Sequence, residues 1–160
     1  DPTMSYDFNA DDVFEMAEQI ERNGAVFYKQ AAADIKDPDA KKFLSDLAAM
    51  EDSHEKTFSS MRKKLTDAEK TSTVFDPGGE AASYLKALAD TRIFFEKEID
   101  TNSLQAILKA AILAEKDSIV FYLGMKDLVP DELGQSRLDS IIKEEMSHIN
   151  LLSRRLIATK

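Results

Sequence analysis

The 160-residue chain contains no cysteine, only five glycines and four prolines, and fewer basic side chains (21) than acidic ones (30). Each shortage excludes something. Without cysteine there are no disulfides, no thiolate metal ligands and no cysteine nucleophile. That usage fits a reducing cytoplasm, which is the expected location. Long stretches free of Gly and Pro leave long helices as the expectation. The net charge of −9 speaks against a nucleic-acid or anionic-membrane partner, either of which calls for a basic patch. No run approaches the roughly 18 apolar residues of a membrane span, and no secretory signal is visible. Asp1-Pro2-Thr3 ahead of Met4 reads as an expression remnant, and residues 4–160 read as one domain, long enough to bury a real core.

Helical periodicity is strong over about residues 9–36. Asp37-Pro38 stops it, with Pro38 at the first position of a second helix to about residue 65. Residues 66–102 are less regular, holding the break FDPGGE (75–80) and two short helical patterns, ASYLKALAD and TRIFFEKEI. Phe94 and Phe95 in the second pattern are expected to cover the bundle. A third helix spans 103–126, opened by Thr101 or Asn102 as cap, and LVPDELG turns the chain into a fourth, about 131–157. Two tight hairpins, 9–65 and 103–157, joined by a long crossover at 66–102 make an all-α four-helix bundle.

On each helix a 3-4-3-4 stripe should face the core. The first reads Phe14, Ala17, Glu21, Gly24, Tyr28, Ala31, Ile35; the second reads Leu44, Leu47, Glu51, His54, Phe58, Met61, Leu65. The third is Leu104, Leu108, Ala111, Glu115, Ser118, Tyr122, Met125, and the fourth is Leu138, Ile141, Glu145, His148, Leu152. Every stripe is interrupted at mid-length by a glutamate. The halves also repeat: ERNGAVFY (21–28) aligns with EKDSIVFY (115–122), and Glu51/His54 with Glu145/His148, each at an offset of 94 residues. The chain is a duplicated helix hairpin.

A carboxylate in an apolar core costs several kcal/mol unless it is paired or metal-bound. No stripe carries a cation beside its glutamate; Arg155 lies well below. Four carboxylates at −1 balance two divalent ions, with the two imidazoles completing the shell. Residues i and i+3 share a helix face, so Glu51/His54 and Glu145/His148 can each address one ion. With 13 glutamates in 160 residues, Glu-x-x-His arises by chance at about 8% per histidine, and twice in two at under about 1%. An oxygen-rich shell with one imidazole per metal suits iron or manganese better than structural zinc, so any zinc found would be adventitious. Tyr28 and Tyr122, two turns along from Glu21 and Glu115, either pack in the core or hydrogen-bond to a ligand carboxylate and hold it in place. Glu18 and Glu144, off the stripes, are expected to be solvated.

With these residues in view, the chain resembles the rubrerythrin-like branch of the ferritin-like superfamily. The resemblance rests on ERNGAVFY with EDSH and EKDSIVFY with EMSH, and covers all four helices. It implies a ferritin-like bundle in which Glu21, Glu51, His54, Glu115, Glu145 and His148 bind two irons (Fe2+/Fe3+), Glu51 and Glu145 bridging. The implied activity is that of a non-haem di-iron oxidoreductase, reducing hydrogen peroxide or O2 at the diferrous pair and protecting against oxidants. The alternative is a ferroxidase or iron-binding protein linked to iron storage or detoxification. Two departures bear on this. Full-length rubrerythrins carry a four-cysteine rubredoxin module, so an external electron donor, rubredoxin-like or a reductase, is expected here. Ser118 stands where rubrerythrins have an extra glutamate, whose role in moving one iron is then missing. The chain ends soon after helix four, without the short fifth helix of ferritin cages, so a homodimer is expected.

Overall fold

The structure, a computed structural model, describes residues 10–65, 80–90, 100–126, 129 and 134–159, and within these it is helical with no strand. Among the described residues five helices follow in order: α1 (Ala10–Asp34), α2 (Pro38–Lys63), α3 (Glu80–Asp90), α4 (Leu104–Met125) and α5 (Gln135–Ala158). FDPGGE up to Gly79 and the TRIFFEKEI pattern with Phe94 and Phe95 lie outside the described residues. So do the expected opening residues of the last helix, 131–133.

Local chemistry sets the helix ends. Asp37 caps α2 by accepting from the Ala40 amide at 2.9 Å, and Pro38 gives up no useful donor in the first turn. The expected cap of α4, Thr101 or Asn102, is corrected to Ser103, whose hydroxyl accepts from the Ala106 amide at 3.2 Å. Thr101 is occupied elsewhere, donating to the Asp34 carboxylate at 2.7 Å across the end of α1. α5 begins only after Gly134, which sits in the left-handed region at φ 119° and so cannot belong to the helix.

Cross-helix pairs fix the directions. Arg22–Glu55 and Arg62–Asp11 run α1 against α2, and the Tyr122–Glu21 and Tyr28–Glu115 bonds run α1 against α4. α2 and α4 are therefore parallel. The chain leaving the end of α2 must travel back along the bundle to start α4, roughly 39 Å for the 26 residues of α2. That return is what the long crossover is for. Its described helix, α3, packs on α4: Leu85 is fully buried, and Gly124 leaves the room, since a Cβ there would stand 2.9 Å from the Tyr84 ring. α4 is thus covered on a second side near its C-terminal end, where Ile119 and Phe121, off its stripe, are buried in the same cluster as Leu85.

The stripes point inward nearly throughout; Leu104, at the first turn of α4, is only half-buried. The apolar core divides in two. One cluster holds Phe14, Phe58, Met61, Tyr122, Met125 and Leu138; the other holds Tyr28, Leu44, Leu47, Ile107, Leu108 and Leu152. Between them lie the buried polar side chains.

Candidate metal centre

Glu21 of α1, Glu51 and His54 of α2, Glu115 of α4, and Glu145 and His148 of α5 are all buried, none more than 4% exposed. Each comes from the middle of its stripe, so packing the four apolar faces together forces the six to one level. They form two overlapping groups among the described residues. Glu21, Glu51, His54 and Glu145 bring one donor atom each within 4.8 Å of one another, as do Glu51, Glu115, Glu145 and His148. Glu51 and Glu145 belong to both. The imidazoles lie nearly parallel, 6.0 Å apart with 20° between their planes.

The surrounding hydrogen bonds use part of this donor capacity. Tyr122 donates to Glu21 Oε1 at 2.6 Å and Tyr28 donates to Glu115 Oε1 at 2.8 Å, while His54 Nδ1 lies 2.9 Å from Glu145 Oε1. Each tyrosine therefore serves the carboxylate of the opposite hairpin, not the one on its own helix. What remains is five buried atoms with no partner: Glu21 Oε2, Glu51 Oε1, Glu115 Oε2, Glu145 Oε2 and His148 Nδ1. Orphaned acceptors cost about 1–3 kcal/mol each, more when charged. Five in one place, all lone-pair donors, is the arrangement a pair of cations would satisfy, and the residues fit that purpose.

Titration behaviour agrees. Burial pushes the Glu51 carboxyl well above its usual range, and the charges of Glu21 and Glu145 push it further. Glu21 is raised by the same desolvation and by Glu145. Burial alone would depress the His54 imidazole, but its hydrogen bond to Glu145 and the Glu21 carboxylate 3.6 Å away outweigh that and bring it up to about 11. Glu145 is the exception among the acids: its burial is outweighed by His148 and His54, which hold it below the usual range. Both tyrosines are raised well above 10, by burial and then by neighbouring glutamates, so they are donors at neutral pH. Without metal the centre thus retains protons that a divalent ion would displace, which makes metal affinity pH-dependent.

Of the two nearby acids expected to be solvated, one needs correcting and the other has a partner besides. Glu18 is 9% exposed rather than solvated, because Arg62 reaches across from α2 and places Nη1 3.3 Å from its carboxylate. Glu144 does keep a side chain 47% exposed, but its Oε2 also hydrogen-bonds to His54 Nε2. One residue before Glu145, it points into the groove toward α2. Its stripe position marks it as off-seam, and only the neighbour on that side decides what it touches. Ser118 is buried, and its hydroxyl donates back to the Ala114 carbonyl at 3.0 Å. Arg155 pairs with Asp39 and stacks 4.3 Å from the Phe43 ring centre, away from the centre. No helix among the described residues is long and apolar enough to cross a membrane.

Comparison with known proteins returns the same architecture. A family model described as Rubrerythrin matches residues 12–156. A crystal structure of a ferritin-like diiron-carboxylate protein from Thermotoga maritima is similar to the chain at 23% identity. The match has a TM-score of 0.70, covering 95% of this chain and 97% of that one. No curated protein matches.

Proposed function

The chain belongs to the rubrerythrin family, and from that premise we propose that it is a non-haem di-iron oxidoreductase that reduces hydrogen peroxide or O2. The observation that carries this reading is the convergence of five unpartnered, buried donor atoms on two overlapping three-carboxylate, one-imidazole sets. Glu21, Glu51, His54 and Glu145 would hold one iron, and Glu51, Glu115, Glu145 and His148 the other, with Glu51 and Glu145 shared. Bound as Fe2+, the pair supplies the two electrons that turn one H2O2 and two protons into two waters, ending as two Fe3+.

The protein's own contribution is positional. Tyr28 and Tyr122 hold Glu115 and Glu21 by one oxygen, so the other faces the centre in a fixed direction. The apolar clusters at either side exclude water along the bundle axis, which strengthens every charge interaction between them. Electrons for the next turnover come from an external donor protein, rubredoxin-like or a reductase. A homodimer in a reducing cytoplasm completes the reading. Leu113, Val120 and Leu123, exposed at 39–61% along α4, are the residues we assign to the contact between copies.

The second reading is ferrous-ion oxidation linked to iron storage or detoxification. It is favoured by the same buried carboxylate–imidazole sets, which would hold Fe2+ during its oxidation without need of a peroxide substrate. Anaerobic titration with Fe2+ should bind about two ions per chain, and the Glu51→Ala/His54→Ala double variant should lose that stoichiometry; unchanged uptake would refute the metal site. Oxidation of the diferrous protein much faster by peroxide than by O2 supports the peroxidase, and the reverse order supports the ferroxidase.

A further inference from the structure

The duplication that built the centre is broken at one position beside it. Glu144, immediately before Glu145, hydrogen-bonds through Oε2 to the Nε2 of His54. The residue 94 positions earlier, before Glu51, is Met50, whose thioether is at best a weak acceptor. Among the described residues His148 accordingly has no such carboxylate behind it. Its Nδ1 faces Glu51, Glu115 and Glu145 at 3.6–3.7 Å, and no hydrogen bond of its Nε2 is found among the described residues. Both histidines are buried with Nδ1 inward and rings nearly parallel, though His54 Nδ1 contacts Glu145 at 2.9 Å and His148 Nδ1 has no hydrogen-bond partner.

That difference matters for a metal ligand. An imidazole that ligates through Nδ1 must carry its proton on Nε2. A carboxylate accepting that proton selects the tautomer, fixes the ring's rotation and makes Nδ1 a stronger donor. His54 has its Nε2 partner and ring angle in place before any ion arrives, and the ion has only to replace the Nδ1 contact with Glu145; His148 has no Nε2 partner to fix its ring as it binds. His54 and Glu144 also line a surface cleft of about 510 Å³ between α2 and α5, with Lys56, Thr57, Arg137 and Ser140 on its walls.

We propose that Glu144 is a positioning residue that makes the two metal positions unequal, so that the His54 position, with Glu21, fills first and the His148 position, with Glu115, fills second. The inference rests on the six side chains holding two ions, and the asymmetry is an addition to that reading. Loss of such a partner typically weakens metal binding by about 10- to 100-fold.

The test is titration of the metal-free protein with Co2+, followed by calorimetry and by the visible bands of the bound ion. The wild type should take up two ions in two separable steps. Glu144→Ala should weaken the tighter step by about tenfold or more and leave the weaker one in place, with a change in the spectrum of the first ion only. His54→Ala should remove the tighter step, and Met50→Glu should tighten the weaker one, bringing the two together. Glu144 is half exposed, so its removal opens no cavity, and the Met50 variant tests the same idea by gain. Two ions bound with Glu144→Ala altering neither step, or both alike as a loss of surface charge would, overturns the asymmetry while leaving the two-ion site standing. Uptake of no Co2+ by the wild type overturns both.

Discussion

Tyr122 donates to Glu21 and Tyr28 to Glu115, so each hydroxyl occupies one carboxylate oxygen and leaves its twin facing the centre. Replacing Tyr122 by Phe removes the Glu21 hydrogen bond in the metal-free protein and leaves that carboxylate only the longer 3.6 Å approach of the His54 ring. Unfolding by urea should then report a loss of about 1–3 kcal/mol, and Tyr28→Phe should behave similarly through Glu115. A loss near zero would mean that water or a relaxed rotamer replaces the hydroxyl. Both tyrosines sit on the sequence stripes, so their burial was legible, but their partners were not. The stripe places Tyr28 near Glu21 of its own helix; the bond goes instead to the helix packed against it. Glu18 and Glu144 illustrate the same gap. Periodicity places each off the seam, and it cannot say that Arg62 arches over one or that His54 abuts the other.

Among the elements, helix type and approximate extent follow from periodicity and capping chemistry, while ends shift by a few residues. Asp37-Pro38 was readable because both residues act locally. The start of α5 was less so: the sequence pattern continues backward through Asp131 and Glu132, yet Gly134 takes a left-handed φ and delays the helix. Gly134→Ala should be destabilising by about 1–2 kcal/mol, the cost of that conformation for a residue with a Cβ, which would also meet Met61 Cε at 3.3 Å. The expected signature is a lower urea midpoint with unchanged slope; an unchanged midpoint would show that the turn relaxes freely. α3 is the element whose role the sequence left open. Its residues read as one short helical pattern, and only packing shows that it covers α4 through Leu85 and the space at Gly124.

For the molecule as a whole, the centre couples folding to pH and to metal. In the metal-free protein Glu21 and Glu51 have raised pKa values, and His54 is raised to about 11. Raised folded-state values mean that the native state binds more protons than the unfolded one. The carboxyls lose their contribution as pH climbs above the usual range near 4.5, and His54 loses its own from about 6.5 up to about 11. Glu145, held below the usual range, works in the opposite sense, but only in acid. Thermal stability of the metal-free protein should therefore fall between about pH 6 and about pH 9. Added Fe2+ under anaerobic conditions should reverse the trend, because its ligands bind deprotonated. At 100 times Kd one such site contributes about 2.7 kcal/mol. A metal-free protein whose Tm rises over this interval would contradict the electrostatics described above.

The sequence by itself determined that four helices would pack by mid-stripe glutamates, that a hairpin had been copied at 94 residues, and which six side chains would meet. It could do so because helical period is a property of one chain segment: residues three and four apart share a face whatever lies opposite. Only the tertiary structure decided which side chain meets which. Tyr122 on Glu21, Glu144 on His54, Arg62 over Glu18 and α3 against α4 all depend on the rotation and depth at which neighbouring helices seat. Those are set by interlocking side chains from two helices at once, so neither helix's pattern contains them.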